Sequence, residues 1–200
     1  MCGDRTNPKA LKRYGFSIGF EPLDDRLDIM RVVSEDIKYA FKLGKPPQSS
    51  RYSDGSWNVL YTAEDHETAL CEVAYHNRKH WLAEHKRKPT TRKYRLTKKI
   101  MYSLNINCSD QKIKSFSDKR LTAANDYSVT QNCARKAITS GKLSIKAPSA
   151  RKKGGICYPI FDMSCVDLRI GEDTKFSLRW NIAKDELLYN SKTQIALWQI

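Results

Sequence analysis

The sequence lacks any apolar run long enough to span a bilayer, and its N-terminal segment lacks the apolar stretch of a secretory leader. It has six cysteines, but none forms a C-x-x-C pair, and several sit within apolar runs as small buried side chains do. Internal repeats and low-complexity segments are also absent. We therefore expect a cytoplasmic protein without membrane contact, whose cysteines are reduced thiols.

The sequence has fewer acidic than basic residues. The chain carries 36 Lys and Arg against 22 Asp and Glu, a formal net charge of +14. Such an excess favours an anionic partner, whether a nucleic acid, a phosphorylated small molecule or an acidic protein. Part of it lies in the run 86–99, which we interpret as a solvated loop entering a strand.

A chain of 200 residues is within the usual size of one domain, and no linker stands out. The segments whose alternation predicts strands are 26–33, 57–63, 100–106, 143–149, 154–161 and 176–182. Helical periodicity predicts three helices. The first follows Ser34, the second follows 62–65 and the third covers 126–141. Strands and helices intermix without a regular β-α-β rhythm, which indicates a single α+β domain with a mixed sheet over 25–200. Residues 1–24 are a polar lead-in, partly ordered by the alternation of Phe16, Ile18 and Phe20.

The segment 51–76 combines a strand, a tight turn and a helix. Tyr61 is predicted to point inward from the strand, and 62–65 ("TAED") matches a helix-capping pattern. Glu72 then falls near the apolar face of the helix. Farther along, Pro159 indicates that its strand lies at a sheet edge.

Spacing alone leaves the role of Glu72 open. Most helix glutamates are solvated, so a surface position is the first alternative. His76 and His80 follow at helical spacing and could share its face, which is one arrangement for a zinc site. The order is not H-E-x-x-H and no third ligand cluster is evident, so we expect no metal and favour a polar helix face.

Three blocks in order, "SRYSDGSWNVLYTAEDHETALCEVAYH", "NDYSVTQNCA" and "APSARKKGGICYPIF", resemble the RES domain family. The resemblance covers roughly residues 26–182. It implies a toxin that consumes NAD as its substrate and has an ADP-ribosyltransferase-like fold, a twisted sheet flanked by helices. It also implies a separate antitoxin as the neutralising partner. The toxin would then contact nucleic acid only indirectly, through this antitoxin. Members cleave NAD by glycohydrolysis or phosphorolysis, or transfer ADP-ribose to a protein acceptor.

The resemblance implies roles for individual residues. The family's arginine, tyrosine, glutamate and serine fall on Arg51, Tyr61, Glu72 and Ser149, and an earlier arginine falls on Arg31. We expect Glu72, Ser149 and Arg51 to be catalytic, and Arg31, Arg51 and Tyr61 to bind NAD. The additional residues that we expect to line the pocket are Tyr52, His76 and Gln131.

The side chains suit these roles. Guanidinium groups offer planar pairs of donors to a pyrophosphate. A fixed carboxylate stabilises the positive charge that develops on a ribose as its bond to nicotinamide opens. Nicotinamide leaves as a neutral base, so one carboxylate can suffice. An aromatic ring such as Tyr61 can stack on a flat heterocycle, although it could equally be a core residue.

Two alternatives start from the charge and the histidines. A basic nucleic-acid-binding module would use the runs 86–99 and 151–153, but no helix-turn-helix, zinc-finger or RNA-recognition signature accompanies them. An RNA-cleaving toxin would use His76 or His80 as a base.

Overall fold

The computed structural model describes residues 12–18, 49–106, 108–117, 119–123, 126–190 and 193–194. Predictions for Arg31, the strand 26–33 and the helix after Ser34 lie outside these ranges. The described elements form an α+β fold, as predicted, with nine strands in one sheet and two α-helices. The strands are β1 (Lys12–Ile18), β2 (Leu60–Ala63), β3 (Tyr94–Ile106), β4 (Ile113–Ser115), β5 (Ser144–Pro148), β6 (Ile156–Ile160), β7 (Val166–Asn181), β8 (Glu186–Tyr189) and β9 (Thr193–Gln194). The helices are α1 (His66–Arg87) and α2 (Ser128–Thr139).

The sheet has the order β4-β5-β6-β2-β1-β3-β7-β8-β9. Strands β4 and β5 run parallel and the other described pairs are antiparallel, so the sheet is mixed. Strand β1, from the predicted lead-in, pairs with both β2 and β3 at the centre of the sheet. The division of the chain at residue 24 stays a prediction.

Both helices lie on the same face of the sheet. Directly paired residues of neighbouring strands point to one face, and Ala147 pairs with Cys157, which pairs with Ala63. Ala63 packs in the apolar cluster of α1, with Trp81, Leu178 and Trp180 among its members. Ala147 packs in the cluster of α2. Cys157 therefore lies on the sheet between the two helices.

The start of α1 differs from the prediction. Thr62 was expected to cap the helix, but it lies in β2, where its hydroxyl donates to the carbonyl of Tyr158 at 2.8 Å. The N-cap is Asp65, whose carboxylate accepts from the Thr68 N–H at 2.8 Å and from the Thr68 hydroxyl at 2.6 Å. Thr62 cannot cap the helix, because it lies within β2 and α1 begins only at His66, directly after Asp65.

Two further predictions are wrong. The run 86–99 is not one loop, because α1 extends to Arg87 and β3 begins at Tyr94. Pro159 does not mark an edge, because β6 lies between β5 and β2. Proline lacks the N–H that a hydrogen bond between strands would need. This is tolerated at Pro159 because the pairing of β6 with β5 is interrupted beside it, between the Ser144–Ile160 and Ala147–Cys157 pairs.

Most other predicted elements are confirmed. The strands β5 and β6 flank a basic turn, and Phe176, Leu178 and Trp180 alternate into the core from β7. Helix α2 ends just before Gly141, whose φ of +71° is readily adopted only by glycine. No helix in the described ranges is both long and apolar enough to cross a membrane.

Candidate active site

Glu72 and Ser149 meet where α1 faces the loop between β5 and β6. The Ser149 hydroxyl donates a hydrogen bond of 2.7 Å to Glu72 Oε1. The same carboxylate oxygen accepts a longer contact of 3.6 Å from Cys157 Sγ. Ser149 is buried and Glu72 is half-buried, so the carboxylate is neither a core group nor a free surface glutamate. The fold thus brings together two residues predicted to be catalytic.

The Ser149 hydroxyl can only act as a donor toward Glu72. Its oxygen accepts hydrogen bonds from the backbone N–H groups of Arg151 and Lys152, at 3.0 Å and 3.1 Å. A hydroxyl has two lone pairs and one proton, so these contacts leave the proton for the carboxylate. Ser149 therefore orients Glu72, and it is poorly placed to act as a nucleophile.

The loop that carries Ser149 is attached to the start of α1. Lys152 Nζ forms ion pairs with Asp65 at 3.3 Å and with Glu67 at 2.7 Å. Gly155 packs so closely that a Cβ there would lie 2.6 Å from Thr68 Oγ1. The contacts that cap α1 therefore also hold Ser149 against Glu72.

We expect Gly155→Ala to lower the free energy of unfolding by about 1–3 kcal/mol, because the new methyl group overlaps Thr68. Thermal unfolding followed by circular dichroism measures this change. Gly154→Ala is the matched control: it adds a methyl group in open space and tests only the backbone strain at φ +77°. A Gly155→Ala variant as stable as the wild type would contradict a close contact at Gly155.

Cys157 is a thiol rather than a thiolate. Burial raises its pKa well above the usual value, and the adjacent Glu72 carboxylate raises it further. The proton retained on sulfur can be donated to Glu72, as the 3.6 Å contact indicates. Cys157 was missed at the sequence level, because a cysteine within an apolar strand has no pattern that distinguishes it from a core residue.

Arg51 is held by carbonyl groups from another part of the chain. Its Nη1 donates to the carbonyl oxygens of Leu121 at 2.9 Å and Ala123 at 3.0 Å. Its guanidinium lies over the Tyr127 ring, 4.7 Å from the centroid. The backbone carbonyl of Arg51 accepts from the Thr130 hydroxyl on α2. Arg51 Nη2 is buried and has no hydrogen-bond partner among the residues that the structure describes, so one edge of this guanidinium has donors to spare.

Tyr61 does not point into the core, contrary to the sequence prediction. The buried side chains of β2 are Leu60, Thr62 and Ala63, whereas Tyr61 is 41% exposed. The strand begins at Leu60 rather than at residue 57, so the residues before it belong to a loop. The Tyr61 hydroxyl shares a hydrogen bond of 2.7 Å with the Ser50 hydroxyl. The ring is therefore fixed at its tip and accessible on its surface.

Tyr52 lies beside Tyr61 but is buried. The ring centroids are 6.2 Å apart, and the Tyr52 N–H donates to the Tyr61 hydroxyl at 3.1 Å. Tyr52 packs in the α2 cluster, and its own hydroxyl is buried without a hydrogen-bond partner. Burial raises the pKa of Tyr52 far above its usual value, so the hydroxyl keeps its proton. It is a neutral donor near Glu72, whose charge contributes to that shift.

Gln131 and His76 lie at the margins of this site. The Gln131 side-chain amide donates to the carbonyl oxygens of Ser50 at 2.8 Å and Ser53 at 3.1 Å, so it braces the loop that carries Arg51. His76 is exposed one turn after Glu72 on α1. In the described ranges, no group of three or more His, Cys, Asp or Glu side chains is arranged to hold a metal ion.

Comparisons with known proteins agree with the fold. A family model described as RES domain matches residues 28–181, a range that includes Arg51, Glu72 and Ser149. Among solved structures, the chain resembles one titled "Crystal structure of the M. tuberculosis MbcT-MbcA toxin-antitoxin complex". The TM-score is 0.52 at 10% sequence identity, covering 82% of this chain and 84% of that chain. At this identity the likeness shows the fold alone. No curated protein sequence matches.

Proposed function

The chain belongs to the RES domain family, and on this premise we propose that it is an NAD-consuming toxin that cleaves the bond between nicotinamide and ribose. The observation that carries the proposal is the 2.7 Å hydrogen bond from Ser149 to Glu72, which holds a half-buried carboxylate in a fixed orientation. A preorganised charge of this kind is what a reaction with developing positive charge requires.

The chemistry assigned to Glu72 is electrostatic. As the nicotinamide–ribose bond lengthens, the ribose gains oxocarbenium character, and a nearby carboxylate lowers the energy of that state. Ser149 and Cys157 both donate to Glu72 Oε1, so its other oxygen is the one we assign to the sugar. Nicotinamide departs as a neutral base and needs no general acid.

Arg51 and Tyr61 fit the binding of the dinucleotide. Arg51 has an unsatisfied Nη2 donor for a phosphate oxygen. Tyr61 presents an exposed ring whose hydroxyl is tethered, which suits stacking on a flat heterocycle at little cost in side-chain entropy. Arg31 is proposed as the second guanidinium on the family pattern.

We further propose a separate antitoxin as the partner of this chain. A solved structure with a similar fold is a toxin–antitoxin complex. A net charge of +14 suits an acidic partner segment as well as an anionic substrate.

Incubation of the purified protein with NAD tests the proposal. We expect nicotinamide release, followed by chromatography, with the second product identified by mass. ADP-ribose indicates water as the acceptor, ADP-ribose phosphate indicates inorganic phosphate, and a labelled protein from added lysate indicates transfer. Intact NAD under all three conditions would overturn the proposal.

Ser149→Ala should lower kcat by roughly tenfold to a hundredfold, because Glu72 loses the donor that orients it. KM for NAD should change little. The matched control is Ser144→Ala, which removes another buried serine hydroxyl, bonded to the Pro159 carbonyl rather than to Glu72. Steady-state kinetics measures both. Complete loss of turnover in Ser149→Ala, below that of a Glu72 variant, would instead indicate covalent chemistry at Ser149.

A further inference from the structure

Arg151 is a buried guanidinium that has no counterion among the described residues. Its side chain is 3% exposed, and in the described part of the chain no carboxylate lies within ion-pair distance of it. Its Nε is sealed from solvent with no hydrogen-bond partner. The hydrogen bond that its side chain makes is long, 3.5 Å from Nη1 to the carbonyl of the preceding Ala150. A buried charge is ordinarily paired, because desolvation is otherwise uncompensated.

Other arginines of the described ranges show the contrast. Arg78 pairs with Asp185, Arg95 with Glu84 at 3.5 Å, and Arg135 with Asp54. These arginines are all more exposed than Arg151. The least exposed guanidinium among them therefore lacks the partner that the more accessible ones have.

Arg151 is also fixed next to the reacting carboxylate. Its guanidinium stacks on Tyr75, 3.4 Å from the ring centroid, and Tyr75 is one turn beyond Glu72 on α1. Its backbone N–H donates to Ser149, which donates to Glu72. The stack and the loop together hold the guanidinium rigidly, as a binding group requires.

The charges around Glu72 are unbalanced in favour of an anion. His76 is exposed at the surface, but the protein atoms around its ring desolvate it, and this lowers its pKa. The negative charge of Glu72 acts against this shift, and the positive charges of Arg151 and Arg51 add to it. Glu72, Arg51 and Arg151 therefore lie within electrostatic range of one point on α1. Two guanidiniums with buried unsatisfied N–H groups accompany one carboxylate.

We propose that Arg151 forms a subsite for a phosphoryl group beside Glu72, in addition to Arg51. This inference rests on the proposed function. The oxygens that it recognises could belong to the pyrophosphate of the dinucleotide or to free phosphate, since both present the same charged acceptors. Stacking on Tyr75 leaves the edge of the guanidinium plane, where its N–H donors lie, for such a ligand.

Calorimetric titration tests the subsite without requiring turnover. ADP-ribose and inorganic phosphate are titrated separately into the wild type, Arg151→Met and Arg151→Lys. Arg179→Met is the matched control, because Arg179 also stacks on a tyrosine, Tyr94, 3.7 Å from the ring centroid, on the distant strand β7. Melting temperatures establish that each variant folds, and Arg151→Lys serves if Arg151→Met does not.

We expect the affinity for ADP-ribose to fall by about ten- to a hundredfold in Arg151→Met, less in Arg151→Lys, and to stay within about twofold in Arg179→Met. Loss of phosphate binding with unchanged ADP-ribose affinity would place free phosphate in the subsite. Unchanged affinity of Arg151→Met for both ligands, or no binding of either ligand by the wild type, would overturn the proposed subsite. A wild type that binds through Arg151 yet releases no nicotinamide would sink the proposed function and leave the subsite standing.

Discussion

Glu72→Gln should lower nicotinamide release from NAD by roughly a hundredfold to a thousandfold in kcat, with little change in melting temperature. The amide keeps the shape of the carboxylate and can still accept from Ser149, but it carries no charge to stabilise the ribose as its bond opens. Binding of ADP-ribose should persist, because the loss is confined to the transition state. Chromatographic assay at saturating NAD measures the effect.

Two control variants on the same helix make this result specific. Glu84→Gln removes a half-buried carboxylate that pairs with Arg95 at 3.5 Å, away from Ser149, and should leave turnover unchanged. His76→Ala removes one of the two histidines, with His80, that an RNA-cleaving toxin would use as a base. If RNA cleavage were the activity, it would survive Glu72→Gln and fail on loss of His76 or of His80. A folded Glu72→Gln variant with wild-type turnover would refute our assignment.

Arg51→Ala should raise KM for NAD by roughly ten- to a hundredfold, because the phosphate loses a charge-assisted donor. It should also lower the free energy of unfolding by about 1–3 kcal/mol, because the carbonyl groups of Leu121 and Ala123 lose their shared partner. Steady-state kinetics and urea denaturation separate the two effects.

Arg51→Lys distinguishes binding from scaffolding. A lysine keeps the charge but has one nitrogen in place of the separate Nη1, which bonds the carbonyls, and Nη2, which we assign to the phosphate, so KM should lie between those of the wild type and Arg51→Ala. If Arg51→Ala destabilises the fold but leaves KM and kcat at wild-type values, Arg51 has a structural role only and other residues bind the phosphate.

Periodicity located β2 and placed Ala63 in the core correctly, but it did not predict the exposure of Tyr61. Tyr61 lies on the same face of the strand as Ala63, yet it is 41% exposed, whereas Leu60 and Thr62 on the other face are buried. The residues before the strand form a loop closed by their own hydrogen bonds, such as the 2.8 Å bond from Trp57 Nε1 to the Tyr52 carbonyl. Both faces of β2 carry buried residues, so alternation alone does not show which of them the rest of the fold covers.

The basic run was misread for a different reason. Lys and Arg have good helix propensity, so α1 continues through residues that carry no apolar pattern, until Lys88 and Pro89. Strand β3 then begins with Tyr94, and it includes Leu96, which is 59% exposed. Long-range pairing with β7 stabilises this end of β3, and such pairing is not encoded in local alternation.

The candidate site was predicted only in part. The family pattern selected Arg51, Glu72 and Ser149, and the fold joins Glu72 to Ser149 across 77 positions. Arg151 and Cys157 could not be found in this way. The burial of Arg151, with no carboxylate of the described residues at ion-pair distance, and the thiol contact of Cys157 arise only once β5, β6 and α1 have packed.

A crystal structure of Glu72→Gln soaked with NAD tests the central claim most directly, because this variant should bind the dinucleotide without cleaving it. We predict intact NAD with its nicotinamide-linked ribose at the side chain of residue 72, its pyrophosphate on guanidinium groups that include Arg51, and the Tyr61 ring against a base. NAD bound away from residue 72, or with its ribose remote from Ser149, would contradict the account.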